Sequence, residues 1–169
     1  MLPRAVELRA MLKRFIDRVR QNHGLEHATV TLMLAHQGPM RIVGRSDHGG
    51  FYIYANIDTE RLRDYAEEAL VRLQRGEEHL AVSPMCGTNI AVAGVLAGVT
   101  SYLALRRADG HVDGITKAVL AGMVSVIASQ PLGRLVQKYA TTSPELAGVR
   151  ITSVDRLSDR MHKVRTASA

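Results

Sequence analysis

Cysteine occurs once in this chain of 169 residues, at Cys86, so no disulfide can form within it, a feature that fits a reducing compartment. Tryptophan is absent, and aromatic residues, at 4%, are too few to interleave with the basic ones. No RNA- or DNA-binding motif is present either. Nucleic-acid binding is therefore set aside, although the formal charge is +6 and the pI about 9.9. Residues 1–20 lack the continuous apolar segment and small-residue cleavage site of a secretory signal. Repeats, low-complexity tracts and an obvious second domain are also missing. One main folded unit is expected, and 46% hydrophobic residues suffice for its core.

What the chain does have is two long apolar runs. From Cys86 to Leu105 it reads CGTNIAVAGVLAGVTSYLAL, twenty residues without a formal charge. At about 1.5 Å per residue such a helix crosses a hydrocarbon layer of about 30 Å. After the polar loop from Arg106 to Gly114, a weaker run extends from Ile115 to Leu132, with Lys117 near enough to its start to snorkel to an interface. Gly94-x-x-x-Gly98 and Ala118-x-x-x-Gly122 offer small surfaces on which two such helices can pack. The reading is a transmembrane hairpin over residues 86–139; two buried helices of a soluble fold are the competing reading. Of 22 Lys and Arg, only Arg106, Arg107 and Lys117 belong to the connecting loop and its edge. Both termini are thus expected on the cytoplasmic side of a bacterial inner membrane. Membrane-surface attraction then accounts for the positive charge.

Outside the hairpin the pattern is mixed, and the expected fold class is α+β. Leu8, Met11, Leu12, Phe15, Ile16 and Val19 recur at helical spacing among Arg4, Arg9, Lys13, Arg14, Arg18 and Arg20. This basic amphipathic helix reads equally as an anchor on anionic lipid and as a helix packed on the domain. Gly24 marks a possible break before a second helix that carries Leu25, Ala28, Thr29, Leu32, Met33 and His36 and stops at Gly38-Pro39. Strands are expected at 40–45 and 51–57, around the loop 46–50. Asp58 or Thr59 caps a helix to about Arg75 with Leu62, Tyr65, Ala66, Ala69, Leu70 and Leu73 on its buried stripe. A short strand, 79–82, leads to the hairpin. Beyond it, Arg134 to Tyr139 continues as helix and Ser143-Pro144 breaks it. Residues 140–157 bring back a strand at 149–154, and 158–169 form a loose tail. The cytoplasmic portion is thus 1–85 with that return.

One segment carries metal-ligand chemistry at metal-ligand spacing: His23-x-x-Glu26-His27. At about 100° per residue the two imidazoles stand roughly 40° apart on a helix, with Glu26 within about 100° of both. Zinc in a catalytic site takes three protein ligands and leaves one position open, so a further ligand is needed. Cys86, with its thiolate affinity for zinc, and His79, just before it, are the favoured candidates; Glu77 and Glu78 are others. Glu67 and Glu68 are expected as solvated helix charges, and His36, His48 and His162 as loop or surface residues. His111 falls in the loop between the spans. Cys86 also supports a cysteine-dependent enzyme, since a cysteine preceding a helix is favoured as thiolate and Asn89 can orient a histidine base. The plainer reading is that Cys86-Gly87-Thr88-Asn89 caps the first span.

The His23-x-x-Glu26-His27 unit resembles the inverzincin metallopeptidase pattern, which implies zinc on the two histidines, Glu26 as the base acting on water, and a downstream glutamate as third ligand. No long second lobe and no matching third-ligand pattern follow. More broadly, Asn22-His23-Gly24-Leu25-Glu26-His27-Ala28-Thr29, Gly44-Arg45-Ser46 followed by Gly50-Phe51, and Cys86-Gly87-Thr88-Asn89 before an Ala/Gly/Leu-rich run resemble an uncharacterised family of small bacterial membrane proteins, over roughly residues 20–105. That resemblance implies no activity. The expectation is a small membrane-associated zinc hydrolase of peptidase type, with Glu26 catalytic, His23 and His27 on the metal and His79 or Cys86 completing the site. The alternative is a non-catalytic membrane subunit or scaffold, with a structural metal or none, whose spans pack on protein partners or on further copies.

Overall fold

A computed structural model describes residues 2–108 and 110–168, with side chains from residue 6 onward. Met1 of the N-terminal helix, the Arg4 side chain, Asp109 of the loop between the apolar runs and Ala169 of the tail lie outside the described residues. The protein is α+β and divides into two compact units, Met1–Ser83 with Thr141–Ala169, and Pro84–Ala140.

The first unit begins with α1 (Leu2–Gln37), a single uninterrupted helix. Gly24 therefore makes no break. The helix ends at Gly38, whose φ of 78° lets its N–H reach the Leu34 carbonyl at 3.0 Å, and Pro39 prevents continuation. Strands β1 (Val43–Asp47) and β2 (Gly50–Tyr54) form the expected hairpin, each displaced by a few residues from the sequence reading. Helix α2 (Thr59–Gln74) starts where its cap dictates, the Asp58 carboxylate accepting the N–H groups of Glu60 and Arg61. Residues Glu78–Ala81, expected as a strand, form a turn of 3₁₀ helix. Leu80 and Ala81 are both buried, and the Leu80 N–H donates to the Glu77 carbonyl at 3.1 Å, the i to i−3 bond of that helix.

After the second unit the chain returns as β3 (Val149–Ser158) and β4 (Met161–Ser168). All pairs are antiparallel, in the order β1-β2-β4-β3. The segment expected as a loose tail thus supplies a central strand, with Phe51 opposite Val164 and Ile53 opposite His162. Leu25, Leu32 and Met33 of α1, Leu62, Ala66, Ala69 and Leu73 of α2, Phe51 and Ile53 of β2 and Val164 of β4 make one apolar core.

His162, expected at the surface, is 0% exposed inside this core. Neither ring nitrogen has a hydrogen-bond partner among the described residues. Burial holds the imidazole below its ordinary pKa, the Arg156 charge acts the same way, and Asp58 opposes them. The unfolded chain takes up this proton near pH 6.5, whereas the native state resists it until lower pH. The stability cost accordingly sets in as pH falls below about 6.5, at up to about 1.4 kcal/mol per pH unit for one proton. A His162→Leu variant is expected to melt higher than the parent by an amount that grows from pH 7 to pH 5.5. Equal melting temperatures of the two proteins across that range would contradict the assignment.

The second unit is an antiparallel hairpin of α3 (Gly87–Arg106) and α4 (His111–Val136), the latter closed by a π-helical turn, Gln137–Thr141. His111 opens α4 rather than standing in the loop, and Lys117, at 2.6 Å from Asp113, is paired. The seam is built from small and hydroxylic residues. Gly114, Ala118, Ser125, Ser129 and Gly133 are the buried positions of α4. The Thr100 and Ser125 hydroxyls lie 2.8 Å apart, and Ser101 donates to the Ala118 carbonyl at 2.9 Å. Gly94 and Gly98 take no part, having no atoms within 4 Å of where a Cβ would sit. Gly98 stands about 160° round the helix from Thr100 and so faces away from α4. Large apolar residues such as Val95, Val99, Val119, Met123 and Ile127 point outward. Both helices are long and apolar enough to cross a membrane.

Candidate metal centre

The motif Asn22–Thr29 lies wholly within α1, and the structure separates its scaffolding residues from its chemical ones. Leu25 and Ala28 are core. The Thr29 hydroxyl donates to the Leu25 carbonyl at 2.8 Å, a bond one helical turn back that satisfies a buried polar group. Asn22 is fully buried and ties the helix to the sheet: its Nδ2 donates to the Asp47 carbonyl at 2.8 Å, and its Oδ1 accepts from the Thr166 hydroxyl at 2.6 Å. Gly24 allows close approach. A Cβ there would collide with the backbone carbonyl of Ser143, whose own N–H donates to the Arg20 carbonyl at 3.0 Å.

His23, Glu26 and His27 remain. The two rings pack edge to face, with centroids 4.4 Å apart. His23 Nδ1 lies 2.9 Å from the Thr141 carbonyl, and His27 Nδ1 lies 2.9 Å from the Ala81 carbonyl. A carbonyl oxygen only accepts, so both rings donate from Nδ1, and in the neutral ring the lone pair is at Nε2. This is the arrangement by which outer partners fix ring orientation and tautomer in histidine metal ligands. Sequence reading could not find the two carbonyls, since backbone acceptors leave no residue signature.

Glu26 is buried, and the hairpin of β1 and β2 is shaped around it. The Ser46 hydroxyl donates to Glu26 Oε2 at 3.1 Å, and Gly44 packs on the carboxylate so closely that a Cβ would overlap it. His23 Nε2 and Glu26 Oε2 are 4.0 Å apart. The Gly44-Arg45-Ser46 motif thus serves Glu26, with Arg45 itself exposed. Gly50 at φ 141° takes a conformation open to glycine and abuts the Val164 carbonyl, keeping the hairpin in register. At its tip the Asp47 carboxyl is raised by burial. The Lys163 hydrogen bond, the Gly49 N–H and the Lys163 charge outweigh that and hold it below the usual range.

His79 is exposed on the 3₁₀ turn, two residues before the carbonyl that orients His27. Glu77 is held by Arg72 at 2.6 Å, and Glu78 is exposed. Glu67 is exposed and Glu68 is near Arg72, as their reading as surface charges requires. His36 and His48 are exposed, also as expected. Cys86 caps α3, its sulfur accepting the Thr88 N–H at 3.4 Å. Asn89 donates to the Pro84 carbonyl at 2.9 Å and accepts from the buried Gln137 amide at 2.7 Å, with Gly133 fitted beside it. The Cys86-Gly87-Thr88-Asn89 motif therefore starts α3 and joins it to the end of α4.

Comparison with known proteins places these elements in a family. No solved structure matches the chain. An uncharacterized protein of Picosynechococcus sp. (strain ATCC 27264 / PCC 7002 / PR-6) is 32% identical over 141 residues, 74% of this chain. The match spans 66% of that relative's length. Residues 18–154, from the docked part of α1 into β3, match the family described as "Domain of unknown function (DUF6391)", and the chain belongs to that family.

Proposed function

We propose that the chain is a membrane-anchored metalloprotein in which His23 and His27 bind zinc, His79 or Cys86 completes the ligand set, and Glu26 acts as base in a hydrolytic reaction. The observation that carries this reading is the pair of Nδ1 hydrogen bonds to the Ala81 and Thr141 carbonyls. These present two neighbouring histidines as Nε2 ligands at no further cost in orientation. Two imidazoles with a third imidazole or a thiolate are a donor set suited to zinc. His79 and Cys86 are the two candidates for the third ligand. His79 precedes Ala81, whose carbonyl touches His27, by two residues, and Cys86 follows it by five, at most about 18 Å of extended chain. Zinc held by three protein ligands would have a fourth position for water and would make that water acidic near neutral pH.

The residues around that position have separate tasks. His23 and His27 keep their protons on Nδ1 through the two carbonyls. Glu26, on the same helix face, has its carboxylate oriented by Ser46 and backed by Gly44, within reach of a proton beside His23 Nε2. The outward apolar faces of α3 and α4 support a bilayer as the site of action.

Elemental analysis of the purified full chain is expected to find stoichiometric zinc. Glu26→Gln is expected to keep that metal while lowering hydrolysis of a fluorogenic peptide panel by about 100-fold or more. Natively stable protein that neither carries nor takes up zinc would sink the proposal. Full hydrolysis in Glu26→Gln would reduce the site to a structural one.

A further inference from the structure

The N-terminal half of α1 stands apart from everything the metal site needs. From Arg18 onward the helix is tied down: Arg18 donates to the Ser168 hydroxyl at 2.8 Å and the Thr166 carbonyl at 2.9 Å, and Arg20 to the Thr142 carbonyl at 3.0 Å. Before it, Leu8, Met11, Leu12, Phe15 and Ile16 are each between 46% and 68% exposed. Of these, Phe15 stacks on the exposed ring of His48, with centroids 5.4 Å apart. The sequence alone allowed a helix packed on the domain; that holds from Val19, which is half-buried, whereas the exposure of Leu8 to Ile16 removes the option for the stretch before it.

Geometry defines the surface. The five apolar residues span roughly 140° of the helix circumference. Arg9 and Lys13 follow one edge of the stripe, Glu7 and then Arg14 lie beyond the other, and all four are exposed. Contiguous apolar side chains of this kind in water signal an interface. A second copy meeting this face antiparallel through its own would set the Arg9 and Lys13 edges against each other. An anionic bilayer surface complements both parts at once, apolar residues entering the acyl boundary and cationic ones the headgroups.

We infer that residues 6–16 form an interfacial anchor that lies in the surface of an anionic membrane, the apolar stripe formed by Leu8, Met11, Leu12, Phe15 and Ile16 facing the acyl chains. Such an anchor restrains the first unit at the bilayer independently of the apolar hairpin. It also fixes the N-terminal end of the helix that carries His23, Glu26 and His27.

Because the chain has no tryptophan, one introduced at an exposed stripe position is the sole indole reporter. The full chain carrying Leu12→Trp is reconstituted into phosphatidylcholine vesicles with or without phosphatidylglycerol, and emission and quenching by brominated acyl chains are recorded. In the anionic vesicles the indole is expected to shift to the blue and to be quenched, with weaker quenching in the neutral vesicles or at high salt. Neutralising Arg9, Lys13 and Arg14 together with glutamine is expected to lower the ratio of quenched to unquenched indole by about fivefold per charge. Water-like, unquenched emission in the anionic vesicles would overturn the inference. So would a blue shift that depends on protein density and ignores lipid charge, which would assign the face to a second copy.

Discussion

Gly24→Val is expected to destabilise the first unit by about 3 kcal/mol, a fall of roughly 6–12 °C in melting temperature. The reason lies outside the helix. A Cβ at position 24 would overlap the backbone carbonyl of Ser143, and a carbonyl held by its own chain cannot swing aside as a side-chain end does. Relief requires moving residues 141–143, which breaks the bond between the Ser143 N–H and the Arg20 carbonyl. The same movement withdraws the Thr141 carbonyl from His23. Gly24→Ala is the sharper test. In a helix interior alanine is favoured over glycine by about 1 kcal/mol, so on propensity alone the variant gains stability. The overlap predicts a net loss of about 1–2 kcal/mol instead. A higher melting temperature for Gly24→Ala would show that the return segment yields freely and that the glycine is incidental.

That glycine also shows where sequence reading failed and why. A glycine inside a helical pattern reads locally as a weak point, and the strand of chain that needs its missing side chain lies more than a hundred residues away. Asp58 and the stripe from Leu62 to Leu73 were legible because both causes, a side-chain cap and an apolar period, reside within α2 itself. The central strand β4 was not, because its inward positions are His162, Val164 and Thr166. Only one of them is apolar, so the alternation that marks a strand was hidden by polar residues that the core accommodates. In the hairpin the length and apolarity of the helices were legible, as was the Ala118 and Gly122 face of α4, but the packing face of α3 was not. Gly94 and Gly98 have the spacing of a packing motif, yet the face that meets α4 carries Thr100 and Ser101. At the site, the i, i+4 spacing of His23 and His27 brought the rings together as read. Their orientation depends on two backbone carbonyls, and the burial of Glu26 depends on the absence of a Cβ at Gly44; neither has a local signature.

His27→Ala is expected to remove zinc from the purified protein and with it the stabilisation that binding confers. A ligand present at a hundred times its dissociation constant stabilises the native state by about 2.7 kcal/mol. Chelation should therefore lower the melting temperature of the parent protein but leave His27→Ala unchanged. Position 27 is the informative one because its ring is buried and held by Ala81, so truncation removes a preset ligand. The truncation also leaves a small cavity and an unpaired carbonyl, and a loss of stability by itself would not distinguish the two causes. His27→Gln addresses this, since its amide can donate to the Ala81 carbonyl and fill part of the space while offering zinc a poor ligand. If the metal holds the site together, His27→Gln resembles chelated parent protein and is insensitive to further chelation. If His27 serves packing alone, the glutamine variant matches the untreated parent, and chelator moves neither. His48→Ala provides the reference for histidine loss as such. That ring is exposed in the turn between β1 and β2, so its removal should leave zinc content and the chelator response intact.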